Sequence, residues 1–125
     1  MIILLLVDDD DMSRDMIRAR LTRLGYAVIT AINAKEAIQA AHEESPNLIL
    51  MDLCMPEMDG FEAAKQLKTN DTTAHIPIVA ISALNTAVDV RRAIRAGCDS
   101  FQTKPLNLAS LHIKIRRLVW NAAGQ

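Results

Sequence analysis

Three stretches of the chain are apolar without interruption: Ile2-Ile3-Leu4-Leu5-Leu6-Val7, Leu48-Ile49-Leu50-Met51 and Ile78-Val79-Ala80-Ile81. A strand with one wet face alternates apolar and polar residues, whereas a strand covered on both faces has no such need. Runs this short suit strands better than buried helices, and none approaches the roughly 20 residues needed to cross a bilayer. They predict a parallel sheet buried between helices. Two further runs have strand character, so strands are expected at Ile2–Val7, Ala27–Ala31, Leu48–Met51, Ile78–Ile81 and Ser100–Thr103.

Helical spacing fills the intervals, over about Met12–Leu24, Ala34–Glu43, Gly60–Lys68, Thr86–Ala96 and Leu108–Trp120. Asn33 with Glu36, and Asp59 with Glu62, have the spacing of an N-cap and its third helical residue. Asn107 can cap the last helix, whose apolar stripe is Leu108, Leu111, Ile115 and Leu118. Gly25 and Gly97 fall where left-handed residues end helices. Trp120 is expected to pack with that last stripe, and the six methionines to fill core space. The sum is an α/β fold, a three-layer (βα)5 with one sheet between two layers of helix. Right-handed crossovers then place every strand's C-terminal end on one rim.

A chain of 125 residues suits one domain, 1–125, with the last helix ending near 120 and 121–125 a short tail. Half of the chain is hydrophobic, enough for a full core. The net charge of −1 argues against nucleic-acid binding through bulk charge. The apolar start is too short and lacks the basic lead-in of a signal peptide. Cys54 and Cys98 show neither metal spacing nor a disulfide framework, so reduced thiols in a cytoplasmic protein are expected, with no membrane partner. His42, His75 and His112 have no ligand spacing and are read as structural or exposed.

The first strand ends in Asp8-Asp9-Asp10-Asp11 and the third in Asp52. Ligands of open α/β sheets bind at that rim. Topology also brings Ser82 and Lys104 there. Crowded carboxylates repel, and a hard cation such as Mg²⁺, held by one or two carboxylates plus phosphate oxygens, relieves the repulsion. Aspartate is also a nucleophile for phosphoryl groups. Ser82 offers a hydroxyl and Lys104 a compact cation for phosphate oxygens. Asp10 and Asp11 read more simply, as local charge favouring a helix N-terminus.

Val7-Asp8-Asp9-Asp10, Met51-Asp52-Leu53-Cys54-Met55-Pro56-Glu57-Met58-Asp59-Gly60, Ile78-Val79-Ala80-Ile81-Ser82-Ala83 and Lys104-Pro105 occur in this order at those strand ends. Together they closely resemble the receiver domain of two-component response regulators, over essentially the whole chain. The resemblance implies a flavodoxin-like sheet in the order 2-1-3-4-5 and a phosphorelay receiver that is a switch rather than an enzyme. It implies Asp52 as phosphoacceptor, with Asp8, Asp9, Asp52 and the backbone carbonyl of Cys54 holding Mg²⁺. Ser82 and Phe101 would be the switch pair, Lys104 the phosphoryl contact, and Lys104-Pro105 a cis bond. The implied partners are a histidine kinase or histidine phosphotransfer protein, docking on the first helix near Met12, Arg14 and Arg18. A downstream protein would meet the face made by 86–96, 100–103 and the last helix, which carries Arg91, Arg92, Arg95, Lys114, Arg116 and Arg117. With no output domain visible, a stand-alone receiver or a piece of a longer regulator would both fit.

Two family positions tune phosphoryl lifetime, and here they hold Cys54 and Leu84, neither able to orient water. Slow self-dephosphorylation is therefore expected. Phe101 must switch by ring packing, having no phenolic hydroxyl. Two other readings remain. One is a haloacid dehalogenase-type phosphatase using Asp8 and Asp10, which leaves the Asp52 signature unexplained. The other is a pseudo-receiver that binds partners without phosphorylation. A nucleotide-binding module is disfavoured by the lack of a Gly-rich phosphate loop.

Overall fold

The computed structural model describes residues 1–53, 60–83 and 86–124. Strands β1 (Ile3–Val7), β2 (Ala27–Ala31), β3 (Leu48–Asp52), β4 (Ile78–Ser82) and β5 (Ser100–Thr103) alternate with helices α1 (Asp11–Arg23), α2 (Ala34–Glu44), α3 (Gly60–Thr69), α4 (Ala87–Arg95) and α5 (Leu108–Ala122). All strand pairs are parallel, in the order β2-β1-β3-β4-β5, as the resemblance implied. The α/β, flavodoxin-like architecture is thus observed.

The uninterrupted runs are apolar because both sheet faces are covered. Leu4, Leu6, Leu48, Leu50, Val79 and Ile81 pack against Ile17 and Leu21 of α1 and Leu111 and Ile115 of α5. Leu5, Val7, Ile49, Met51, Ile78 and Ala80 face the other way, toward α2, α3 and α4. Those three helices meet the sheet largely through alanines: Ala34, Ala37, Ala41, Ala63, Ala64 and Ala93.

Helix punctuation follows local chemistry. The side chains of Asp10, Asn33, Thr86 and Asn107 accept from backbone N–H groups in the first turns of α1, α2, α4 and α5. Glu36 reaches back to the N–H of Ile32, one residue before the cap, instead of to the cap itself. Gly25 and Gly97 take the left-handed backbone that lets α1 and α4 end (φ +96° and +98°). The expected Asp59–Glu62 cap lies outside the described residues.

Two expectations fail on burial. Trp120 is 61% exposed: two residues beyond Leu118 the helix has turned about 200°, which carries the indole off the core stripe. Met1, Met12 and Met16 are also exposed, and only Met51 among the described methionines fills core space. The last helix runs past 120, to Ala122.

Candidate functional site

Asp52 and Ser82 are the last residues of β3 and β4, and Lys104 directly follows β5. Parallel register brings these ends level, with Asp52 beside Ile81 and Ser82 beside Thr103. Backbone bonds continue the ladders past the strands: Leu53 N–H donates to Ile81 O (3.0 Å) and Lys104 N–H to Ser82 O (2.9 Å). Asp8, directly after β1, donates its N–H to Ala31 O of β2 (3.0 Å). The rim is therefore fixed by sheet hydrogen bonds rather than by loop conformation.

Carboxylate oxygens of Asp8, Asp9 and Asp52 lie within 4.8 Å of one another. Asp8 and Asp52 are buried and Asp9 is exposed, so the cluster has one open side. Lys104 Nζ reaches over it, 3.1 Å from Asp52 Oδ2 and 3.9 Å from Asp8 Oδ2. Clustered carboxylate oxygens of this kind match the hard-donor preference of Mg²⁺, an ion that commonly keeps water and phosphate oxygens among its ligands.

Asp8 is held from two sides. Its Oδ1 accepts from Asp10 N–H (2.9 Å) and its Oδ2 from Ser13 Oγ (2.7 Å). Arg14 Nη1 donates to the Asp8 carbonyl (3.0 Å). Arg14 also pairs with Asp11, whose hydrogen bond raises the guanidinium's already high pKa. The first turn of α1 thus clamps the end of β1. Sequence reasoning missed Ser13. A hydroxyl in the helical turn after an acidic strand end was the available signal.

Lys104-Pro105 is cis, as expected. Ser82 is buried, and Phe101, beside Ala80 in β5, packs against the core cluster on the α3–α4 side. Gly60 shows a second missed feature. A Cβ there would sit 2.7 Å from the Asp52 carbonyl oxygen and 2.8 Å from Leu53 Cα, so only glycine allows α3 to start against the end of β3. Read from sequence, Asp59 signalled a turn and a helix cap and Gly60 the start of the helix, with nothing to mark this close approach. Cys54 and Leu84 lie outside the described residues.

The basic residues near the last helix are not one uniform face. Lys114 bonds Phe101 O (2.8 Å) and Gln102 Oε1 (2.9 Å), which ties α5 to β5. Arg116 acts on the other flank, where its charge lowers the pKa of Tyr26 against the larger upward push of burial. Tyr26 lies beside α5, its hydroxyl 2.6 Å from His112 Nδ1. Arg91, Arg92, Arg95 and Arg117 are exposed. On α1, Met12 and Arg18 are exposed, and Arg14 sits over the Asp8 carbonyl.

Comparison with known proteins agrees with this geometry. The pattern of the response regulator receiver domain family matches residues 4–116. Response regulator PleD of Caulobacter vibrioides is 37% identical over 115 residues, covering 92% of this chain and 25% of that protein. Polar-differentiation response regulator DivK of Brucella anthropi is 35% identical over 104 residues, covering 83% of this chain and 85% of that one. The receiver domain of sensor histidine kinase PA1611 from Pseudomonas aeruginosa was solved with a magnesium ion coordinated in its active site cleft. It matches with a TM-score of 0.86 and 28% identity, over 94% of this chain and 96% of that one. The chain spans a quarter of PleD and half of the transcriptional regulatory protein AfsQ1 of Streptomyces coelicolor.

Proposed function

The chain belongs to the response regulator receiver domain family, and on that premise we propose that it is a phosphorelay switch whose phosphoacceptor is Asp52. The observation that carries the reading is Lys104 Nζ 3.1 Å from Asp52, beside three carboxylates whose oxygens lie within 4.8 Å. That set contains a nucleophile, a cation for phosphate oxygens and a hard-donor cluster. Asp8, Asp9 and Asp52, with the Cys54 carbonyl, would hold Mg²⁺, which supplies charge neutralisation for the transferring phosphoryl group.

An Asp52 carboxylate oxygen attacks phosphorus of a partner's phosphohistidine, or of a small phosphodonor. The P–O bond forms as the bond to the leaving group breaks, and the electron pair departs on the imidazole nitrogen. Asp8 is pinned by Ser13 and Asp10 and serves as a positioned ligand rather than as the attacking group. Lys104 is drawn to the new phosphoryl oxygens, Ser82 donates its hydroxyl to one of them, and Phe101 repacks behind Ser82. The face of α4, β5 and α5 then shifts between two arrangements and changes its fit to a downstream protein. A histidine kinase or phosphotransfer protein docks on α1 near Met12, Arg14 and Arg18. The setting is cytoplasmic, with no direct nucleic-acid contact by residues 1–125.

Cys54 and Leu84 are by residue type neither an acid nor an amide able to orient an attacking water, which supports a slow self-dephosphorylating switch rather than a turnover enzyme. Intact-mass measurement after acetyl phosphate and Mg²⁺ tests the whole reading. The wild type should gain one phosphoryl unit and lose it slowly, whereas Asp52→Asn, or wild type in EDTA, should gain none. Equal gain by Asp52→Asn would refute the assignment, and rapid loss would refute the slow switch.

A further inference from the structure

Gly60 and Phe61 open α3 at the site itself. Because a Cβ on Gly60 would meet Asp52 O at 2.7 Å and Leu53 Cα at 2.8 Å, the start of α3 approaches the end of β3 too closely to admit a side chain. With no room for even a methyl group between the two segments, a shift at the end of β3 presses on the first turn of α3. The next residue is Phe61. Its half-buried ring packs on the α3–α4 side of the core, and the Arg92 guanidinium carbon of α4 lies 4.0 Å from its centroid. A cation over an aromatic face is attracted to the ring's negative potential, and that attraction weakens as the two part.

We propose that the Phe61–Arg92 stack is a coupling contact: it transmits the charge state at Asp52 to α4 and sets how the Arg92 cation is placed on that helix's exposed face. Phe61 and Arg92 are positioning residues, since neither touches the reacting atoms. The partner-facing consequence is electrostatic. Arg91, Arg92 and Arg95 of the same helix are all exposed, so an acidic protein partner meets three cations, and the stack fixes where the Arg92 charge stands among them. This route runs through β3, Gly60, Phe61 and α4. It is separate from the route through Ser82, Phe101 and β5. It rests on the proposed role of Asp52 only where phosphorylation is the trigger.

The test is amide hydrogen exchange of α4 in the full chain, with Asp52→Asn as a charge change that requires no phosphodonor. In the otherwise wild-type protein, Asp52→Asn should alter exchange across 87–95 by about two- to fivefold. In Arg92→Gln or Phe61→Leu backgrounds the same substitution should have less than half that effect, and Arg92→Lys should restore it. An undiminished response in both backgrounds overturns the coupling, as does no response to Asp52→Asn in the wild type. A parallel acetyl phosphate arm separates the two ideas. Wild-type phosphoryl uptake by Arg92→Gln, with α4 no longer responding to it, supports coupling without a catalytic role. A stack-dependent α4 response in a chain that takes up no phosphoryl group also supports coupling, and refutes only the acceptor assignment.

Discussion

At the scale of single residues, Asp8 is a buried carboxylate whose two oxygens are each held by a neighbour. Its side chain is aimed by Ser13 Oγ and by its own chain two residues on, while the helix that supplies Ser13 is itself fixed by Arg14 on the Asp8 carbonyl. Groups that orient a ligand's donor atom commonly affect metal affinity by 10- to 100-fold when removed. Ser13→Ala should therefore weaken Mg²⁺ binding by roughly tenfold while leaving the unfolding midpoint almost unchanged, as titration calorimetry and thermal melting would show. An affinity equal to wild type would mean that the Asp10 N–H alone holds the carboxylate. Strand ends made the convergence of Asp8, Asp52 and Lys104 legible, because parallel topology leaves few other places for them. Ser13 and Gly60 were not legible in the same way. Their roles depend on distances of about 3 Å between segments whose relative placement no spacing rule gives.

At the scale of elements, most helix ends could be read from their caps, since an N-cap interaction spans only three or four residues. Trp120 could have been excluded from the core by the same helical geometry that identified its stripe. Long-range ties were hidden. Lys68, near the end of α3, bonds Ile76 O (2.7 Å) and Ala74 O (3.3 Å) and pairs with Asp99 (2.9 Å), which in turn accepts from Ile78 N–H (2.8 Å). Its stem lies under Gly97, where a Cβ would meet Lys68 Cγ at 2.7 Å. One ammonium thus fastens α3 to the entrances of β4 and β5, at the end of the sheet away from the carboxylates. Lys68→Met keeps the stem but deserts these acceptors, and should cost about 2 kcal/mol in chemical denaturation. A loss below about 0.5 kcal/mol would show that water replaces the ammonium there.

At the scale of the whole molecule, the two faces of the sheet are built differently. Leucines and isoleucines lock α1 and α5 in place, whereas α2, α3 and α4 rest mainly on alanines, with Leu67 of α3 the one fully buried large side chain among their described residues. Cys98 sits at the end of that second layer, where burial pushes its thiol up to about 11, so it stays protonated and unreactive at neutral pH. None of the described helices is long and apolar enough to cross a membrane.

Lys104 has a consequence for assembly. Its ammonium already bridges Asp52 and Asp8, at 3.1 and 3.9 Å, so the acidic pocket carries a tethered placeholder for mobile counter-ions. With the pocket's charge offset in this way, the fold should form without an ion, and any ion bound at the pocket would come to a chain already folded. A chelator should silence phosphoryl uptake yet leave the circular dichroism spectrum and a single cooperative melt intact. Collapse of that melt in EDTA would mean that the tether is too weak to stand in.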